Sequence, residues 1–199
     1  MHLRAPAILV AARQHGETAV VARFLTFEYG LIAGYVAGGR GRQLRPVVIP
    51  GNRIDLQLSA KSDSQLPFAK VELVDSRGPW LAEPLPAAAI GWATALTATA
   101  LPERQPYPTL YEALGGALDA ICHAPSARGW ASALVGYEAL MLRELGYGGA
   151  GGRPQGELAQ VIEAMDALAE PLHHYLLADR RGDVMSARSR LRELLARIA

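Results

Sequence analysis

The sequence predicts an α+β protein, a β-barrel domain followed by an α-helical one, and three observations carry that reading. The first 80 residues break into short runs that alternate apolar and polar positions, with turn-forming Gly, Pro, Asn and Asp between them. From Pro86 onward the apolar spacing lengthens to that of a helix. The charge balance also changes: residues 1–81 carry ten Lys/Arg against six Asp/Glu, and residues 82–199 carry ten against thirteen. Such asymmetry suggests a basic module joined to a neutral or acidic one. With 199 residues, half of them apolar, the chain is long enough for two small cores.

The predicted strands follow in order. Ala7–Arg13 is apolar with branched residues, and Gln14-His15-Gly16-Glu17 is turn chemistry. Thr18–Thr26 and Leu31–Gly38 are the second and third strands, parted by Glu28-Tyr29-Gly30. Val47–Ile49 runs into Pro50-Gly51-Asn52, a turn or bulge, after which Ile54–Ala60 alternates strictly. Phe68–Val74 alternates again after a polar loop. Five short strands in about 80 residues suit a five-stranded barrel of the OB type over residues 1–80.

A helical domain is predicted over residues 81–199, joined near Gly78–Glu83. Thr109 and Glu112 form a capping-box pattern ahead of a stripe of Leu110, Leu114, Ala117, Leu118 and Ile121. Ser126 is placed to cap the next helix, with Gly146 as its stop. Leu158 to Leu176 continues the pattern with a kink at Pro171, and Leu191, Leu194, Leu195 and Ile198 mark a final amphipathic helix. Residues 84–102 are uncharged, but their alanines, threonines and three prolines predict a buried helix rather than a membrane span. No signal peptide is read at the N-terminus, and a soluble protein is expected.

Several function classes find no support. Cys122 is the only cysteine, so neither an internal disulfide nor a four-Cys zinc site is available. Gly146–Gly151 matches GxGxxG in form, but a helix precedes it and Arg153-Pro154 follows, which makes it a glycine-rich linker rather than a dinucleotide loop. His173 and His174 are adjacent, so their rings diverge by about 100° on a helix instead of sharing a ligand face. No serine-nucleophile motif is present, and Glu138, Glu144 and Glu193 are expected on solvated helix faces.

The positive signal lies in LIAGYVAGGRGRQLRP, residues 31–46. The third strand alternates Leu31, Ala33, Tyr35 and Ala37 on one side with Ile32, Gly34, Val36 and Gly38 on the other, and one side must be core. Tyr35 stacks on a base if it faces out, and is half-buried packing otherwise. Gly38, Gly39 and Gly41 permit close backbone approach, and Arg40, Arg42, Arg45 and Arg53 follow. With Arg13, these arginines make either a solvated loop on a protein-only adaptor or a basic surface of the kind that attracts phosphates while aromatic faces stack bases. The expected DNA-binding set is Arg13, Tyr35, Arg40, Arg42, Arg45 and Arg53.

Arg13-Gln14-His15-Gly16-Glu17 and the following VVARFLTFEYGLIAGYVAGGRG resemble the opening of the RecO family of bacterial recombination mediators. PYPTLYEALGGALDAI, LVGYEALMLRELGYG and SARSRLRELLARI are similar to its helical segments, in the same order. The resemblance implies an OB-fold N-terminal domain, an α-helical C-terminal domain and no enzymatic turnover. It implies binding of single- and double-stranded DNA, annealing of complementary strands and, with RecR in the RecFOR pathway, loading of RecA on DNA covered by single-strand-binding protein (SSB). RecR and the acidic C-terminal tail of SSB are the implied partners, the latter in an apolar pocket with an arginine nearby. A cytoplasmic, nucleoid-associated location is implied, with no membrane and no cofactor. Many family members carry zinc-binding cysteines after the Leu-Gly-Tyr segment. Here residues 146–153 are a Gly-rich loop without Cys or His, so zinc is not predicted.

Overall fold

The computed structural model describes residues 2–62, 65–148, 152–178 and 183–199. The chain forms two compact units, one of Met1–Ala82 with Leu101–Tyr111, the other of Glu83–Ala100 with Glu112–Ala199.

In the first unit, five strands close into a barrel in the order β1-β2-β3-β5-β4: β1 (His2–His15), β2 (Ala19–Thr26), β3 (Gly30–Val36), β4 (Arg53–Ser59) and β5 (Phe68–Asp75). All neighbours are antiparallel except β3 and β5, whose parallel contact is Tyr35 opposite Phe68. This is the OB-type arrangement expected. β1 extends five residues before its expected start because it serves two partners. Residues 2–8 pair with β4 and residues 7–15 with β2, with a register shift between Leu9 and Ala11.

Alternation decides what fills the barrel. Leu9, Val20, Ala22, Phe24, Ile32, Val36, Ile54, Leu56, Leu58, Ala69 and Val71 are buried in one cluster. Each large apolar side chain so buried contributes roughly 1.5–3 kcal/mol. Residues 37–52 add no strand. They make a helical turn in which Arg45 N–H donates to Gly41 O at 2.9 Å and Val48 N–H to Leu44 O at 2.9 Å, placing Leu44, Val47 and Val48 against the core.

Asn52, fully buried, fixes the end of this loop. Its Nδ2 donates to Pro46 O and Val47 O, both at 3.0 Å, and its Oδ1 accepts from Arg77 N–H at 2.7 Å. The segment Leu101–Tyr111 runs beside β3, where Leu31 bridges Glu103 and Leu31 O accepts from Arg104 N–H at 2.9 Å. Gly30 permits that approach: its φ is +66°, and a Cβ there would lie 2.1 Å from Gln105 O.

The helical unit contains α1 (Pro84–Ala100), α2 (Pro108–His123, its first turn counted with the barrel), α3 (Ala127–Glu144), α4 (Leu158–Ala167), the single turn α5 (Ala169–Pro171) with widened turns over Leu172–Leu177, and α6 (Met185–Ala196). α1 is the expected buried helix. It is apolar nearly all round, and its Thr94 and Thr97 hydroxyls donate to Ile90 O and Ala93 O at 2.8 and 2.7 Å. Among the described residues, no helix is long and apolar enough to cross a membrane.

Four expectations are corrected. α2 begins at Pro108, so Thr109 lies inside the first turn instead of capping it; proline at the first helical position needs no N–H partner. Ser126 occupies the cap position of α3 but its side chain makes no capping bond. The stop at Gly146 forms as expected, with Gly146 N–H donating to Arg143 O and Tyr147 N–H to Leu142 O. α6 ends before Ile198, which is exposed. Glu138 is not solvated: it is fully buried, and Arg188, 3% exposed, grips it through Nε–Oε1 at 2.9 Å and Nη2–Oε2 at 2.8 Å. Trp92 Nε1 donates to the same Oε1 at 2.6 Å. Burial pushes the Glu138 carboxyl above the usual range, while the Arg188 and Trp92 hydrogen bonds pull it back.

Candidate nucleic-acid interface

Strand register brings Arg13 and Tyr35 into one row. Arg13 lies opposite Val21, Val21 opposite Tyr35, and Tyr35 opposite Phe68. Directly opposed residues share a face of the sheet. Their neighbours Val20, Val36 and Ala69 point into the core, so the row Arg13–Val21–Tyr35–Phe68 lies on the outer surface of four adjacent strands. Tyr35 therefore faces outward, but it is half-buried. The His15 ring meets it edge-on at 5.8 Å and 86°, and the Phe68 ring at 5.3 Å and 79°. Phe68 is 62% exposed, against the half-buried Tyr35.

The loop after β3 folds back on the β1–β2 turn. Arg40 N–H donates to Thr18 O at 3.0 Å and its Nη1 to Glu17 O at 2.8 Å. Gly39 sits against Val20 so closely that a Cβ would lie 3.0 Å from it. A hollow of about 390 Å³ results, with Gln14, Glu17, Thr18, Arg40 and Arg45 in its lining, and Arg42 is exposed on the same loop.

Four of the barrel's carboxylates pair with other cations, while Glu17 stays at the hollow without an ion pair among the described residues. Asp55 takes Arg4, with Nε–Oδ2 at 3.1 Å, and that bond holds the Asp55 carboxyl below the usual range. Glu72 takes Lys70, Asp75 takes Arg77 and Glu103 takes Arg23, each at 3.1 Å. Among the described residues, Arg13, Arg40, Arg42 and Arg45 have no carboxylate partner. Uncompensated exposed charges of one sign sum into a field that draws a polyanion.

Arg53 stands apart from this group. It opens β4 opposite Ile8 and Asp75, six residues along the strand from Ser59, which pairs with Phe68. At the rise of a strand that is about 20 Å. It is half-buried near Tyr111, whose hydroxyl is raised by burial while the Arg53 charge acts in the opposite sense.

Phe68 and His15 belong to the aromatic row, although the sequence reading did not select them. A signal for Phe68 was present. In FAKVELV, placing Ala69 and Val71 inward sends Phe68 outward with Lys70 and Glu72, and a large aromatic on a polar face is the anomaly.

A closed five-stranded OB-type barrel bearing a cluster of exposed arginines, followed by a helical unit, defines the architectural class. Residues 1–77 match the family model for the recombination protein O N-terminal domain, and residues 84–149 that for its C-terminal domain. The chain is 41% identical over 143 residues to a DNA repair protein RecO from Rhodospirillum centenum, a match covering 71% of this chain and 56% of that protein. It is 37% identical over 150 residues to one from Phenylobacterium zucineum, covering 74% and 60%. With one from a Ruegeria species it shares 38% over 149 residues, covering 74% and 61%. The chain belongs to the RecO family. The matched stretch spans about three-fifths of the length of these relatives.

Proposed function

We propose that this chain acts in DNA repair as a recombination mediator that works by binding rather than by turnover. It binds single- and double-stranded DNA, anneals complementary strands and, with RecR, helps load RecA on DNA covered by SSB. The observation that carries the reading is the set of four exposed arginines without ion-pair partners among the described residues. Arg40 and Arg45 stand at the junction of the β3–β4 loop with the β1–β2 turn, Arg42 on that loop, and Arg13 on β1 at the end of the outward row. Arg13, Arg40, Arg42 and Arg45 neutralise phosphates, and neutralised strands repel each other less, so complementary stretches can pair. The family membership and the naming of its relatives as DNA repair proteins support the same reading.

The helical unit offers a place for an acidic peptide tail. A groove of about 400 Å³ is lined by Ala113, Gly116, Ala120, Gly136 and Leu140 together with Arg143. Arg143 is exposed and supplies the cation that a carboxylate-ended, apolar tail such as that of SSB would need.

The test is fluorescence anisotropy of a labelled single-stranded oligonucleotide at several salt concentrations. Four phosphate contacts give a log–log slope of about −2.8 on single strands, hence roughly a fiftyfold loss of affinity between 50 and 200 mM salt. Arg40→Ala with Arg42→Ala should about halve that slope and weaken annealing at an unchanged melting temperature. Unchanged affinity and slope in that variant would overturn the assignment. Absent or salt-insensitive binding by the unaltered protein would favour an adaptor that contacts only proteins.

A further inference from the structure

We propose that the barrel carries a subsite for one unpaired nucleobase, built by Phe68 and the cleft it borders, and that this subsite gives the protein a preference for single strands over duplex. The inference rests on the DNA-binding reading above and deepens it.

Phe68 opens β5 on the outward parity of that strand, where its companions are Lys70 and Glu72. An apolar ring 62% exposed on a polar face gains little for the fold. Its orientation is nonetheless held. Tyr35 meets it at 5.3 Å, and His15 backs Tyr35 at 5.8 Å, both edge to face. A ring braced from one side and open on the other offers a stacking surface.

Beside Phe68 is a cleft of about 880 Å³. Ala37 and Leu44 give it an apolar part, and Gln43, Gln57 and Ser59 give it amide and hydroxyl groups. Those groups offer both donors and acceptors, matching the edge of a base that has no Watson–Crick partner. Phosphates flanking the base have cations to meet. Arg13 ends the row that begins at Phe68, three inter-strand spacings or about 14 Å away, and Arg40 and Arg45 line the hollow at the β1–β2 turn. A flat apolar ring, side-chain amides and uncompensated arginines together select a nucleotide in a single strand. A duplex keeps its bases stacked and paired, so it meets the arginines but cannot fill the cleft.

The experiment compares a labelled oligothymidine with a duplex of the same length, for the full chain and for Phe68→Ala and Phe68→Trp. Loss of one stacked base should weaken single-strand binding roughly five- to hundredfold. Duplex binding should change by less than about twofold, because phosphate contacts are untouched. Phe68→Trp should restore single-strand affinity. A 2-aminopurine in the oligonucleotide should be quenched on binding the unaltered protein and stay bright on binding Phe68→Ala. Equal losses on both DNA forms, or unchanged single-strand affinity with quenching retained, would overturn the subsite and leave the arginine surface standing. Failure of the unaltered protein to bind either DNA would overturn both.

Discussion

Replacing Arg188 by alanine removes both hydrogen bonds that the guanidinium makes to Glu138, and a third that Nη2 donates to Met165 O. Glu138 stays at full depth with Trp92 as its remaining donor among those described. A carboxylate left so placed takes up a proton rather than hold its charge out of water. Protonating a carboxyl of ordinary pKa 4.5 at pH 7 costs about 2.5 pH units, or about 3.4 kcal/mol, which caps the electrostatic part of the loss. The bond to Met165 O adds about 1 kcal/mol, for a total of about 3–5 kcal/mol.

The pH dependence carries the sign of the argument. In the variant, the folded-state pKa of Glu138 lies well above its unfolded value, so the folded state keeps a proton that the unfolded state releases as pH rises through 4.5. Stability from this group therefore falls as pH rises, and lowering the pH from 7 to 5 should return part of the deficit, at most about 2.7 kcal/mol. Urea denaturation of the full chain, followed by far-UV circular dichroism at both pH values, reads this directly. Adding Glu138→Gln to the variant should abolish the pH effect. A loss under about 1 kcal/mol at pH 7, or one that does not change with pH, would refute the reasoning.

Two further substitutions test how the barrel presents its arginines. Gly30→Ala forces a side chain into positive φ and against Gln105 O, so the Leu101–Tyr111 segment should detach from β3, with faster amide exchange at Arg104 and a loss of about 2 kcal/mol; unaltered exchange would count against the contact. Asn52→Ala strands two carbonyls and the Arg77 N–H in a buried site, a loss of about 3 kcal/mol. Because Asn52 ties down the loop that holds Arg40, Arg42 and Arg45, single-strand affinity should fall with it, and affinity retained in full at reduced stability would separate the loop's anchoring from its function.

Local pattern carried much of the fold. Alternation in Ile54–Ser59 and Phe68–Asp75 fixes which residues fill the barrel, because a strand's side chains point to opposite faces at a period of two. The change to helical spacing and the all-apolar character of α1 were equally local, and so was the stop at Gly146. The cluster of arginines was visible as composition, but its membership was not. Arg53 is close in sequence to Arg45, yet the loop between them spans the barrel and leaves Arg53 about 20 Å along β4 from the aromatic row.

Tertiary structure decided what depends on distant partners. Glu138 reads as one more polar residue on α3, and only α6, fifty positions later, turns it into the buried partner of Arg188. Tyr35 reads as either a stacking ring or half-buried packing, and only closure of β3 on β5 brings Phe68 against it, half-buries it and leaves Phe68 exposed. Alternation and helical period are properties of neighbouring residues and survive in the sequence. Which charges find counter-ions and which ring faces stay open depend on strand register and loop return, and those are set by packing between segments the chain keeps far apart.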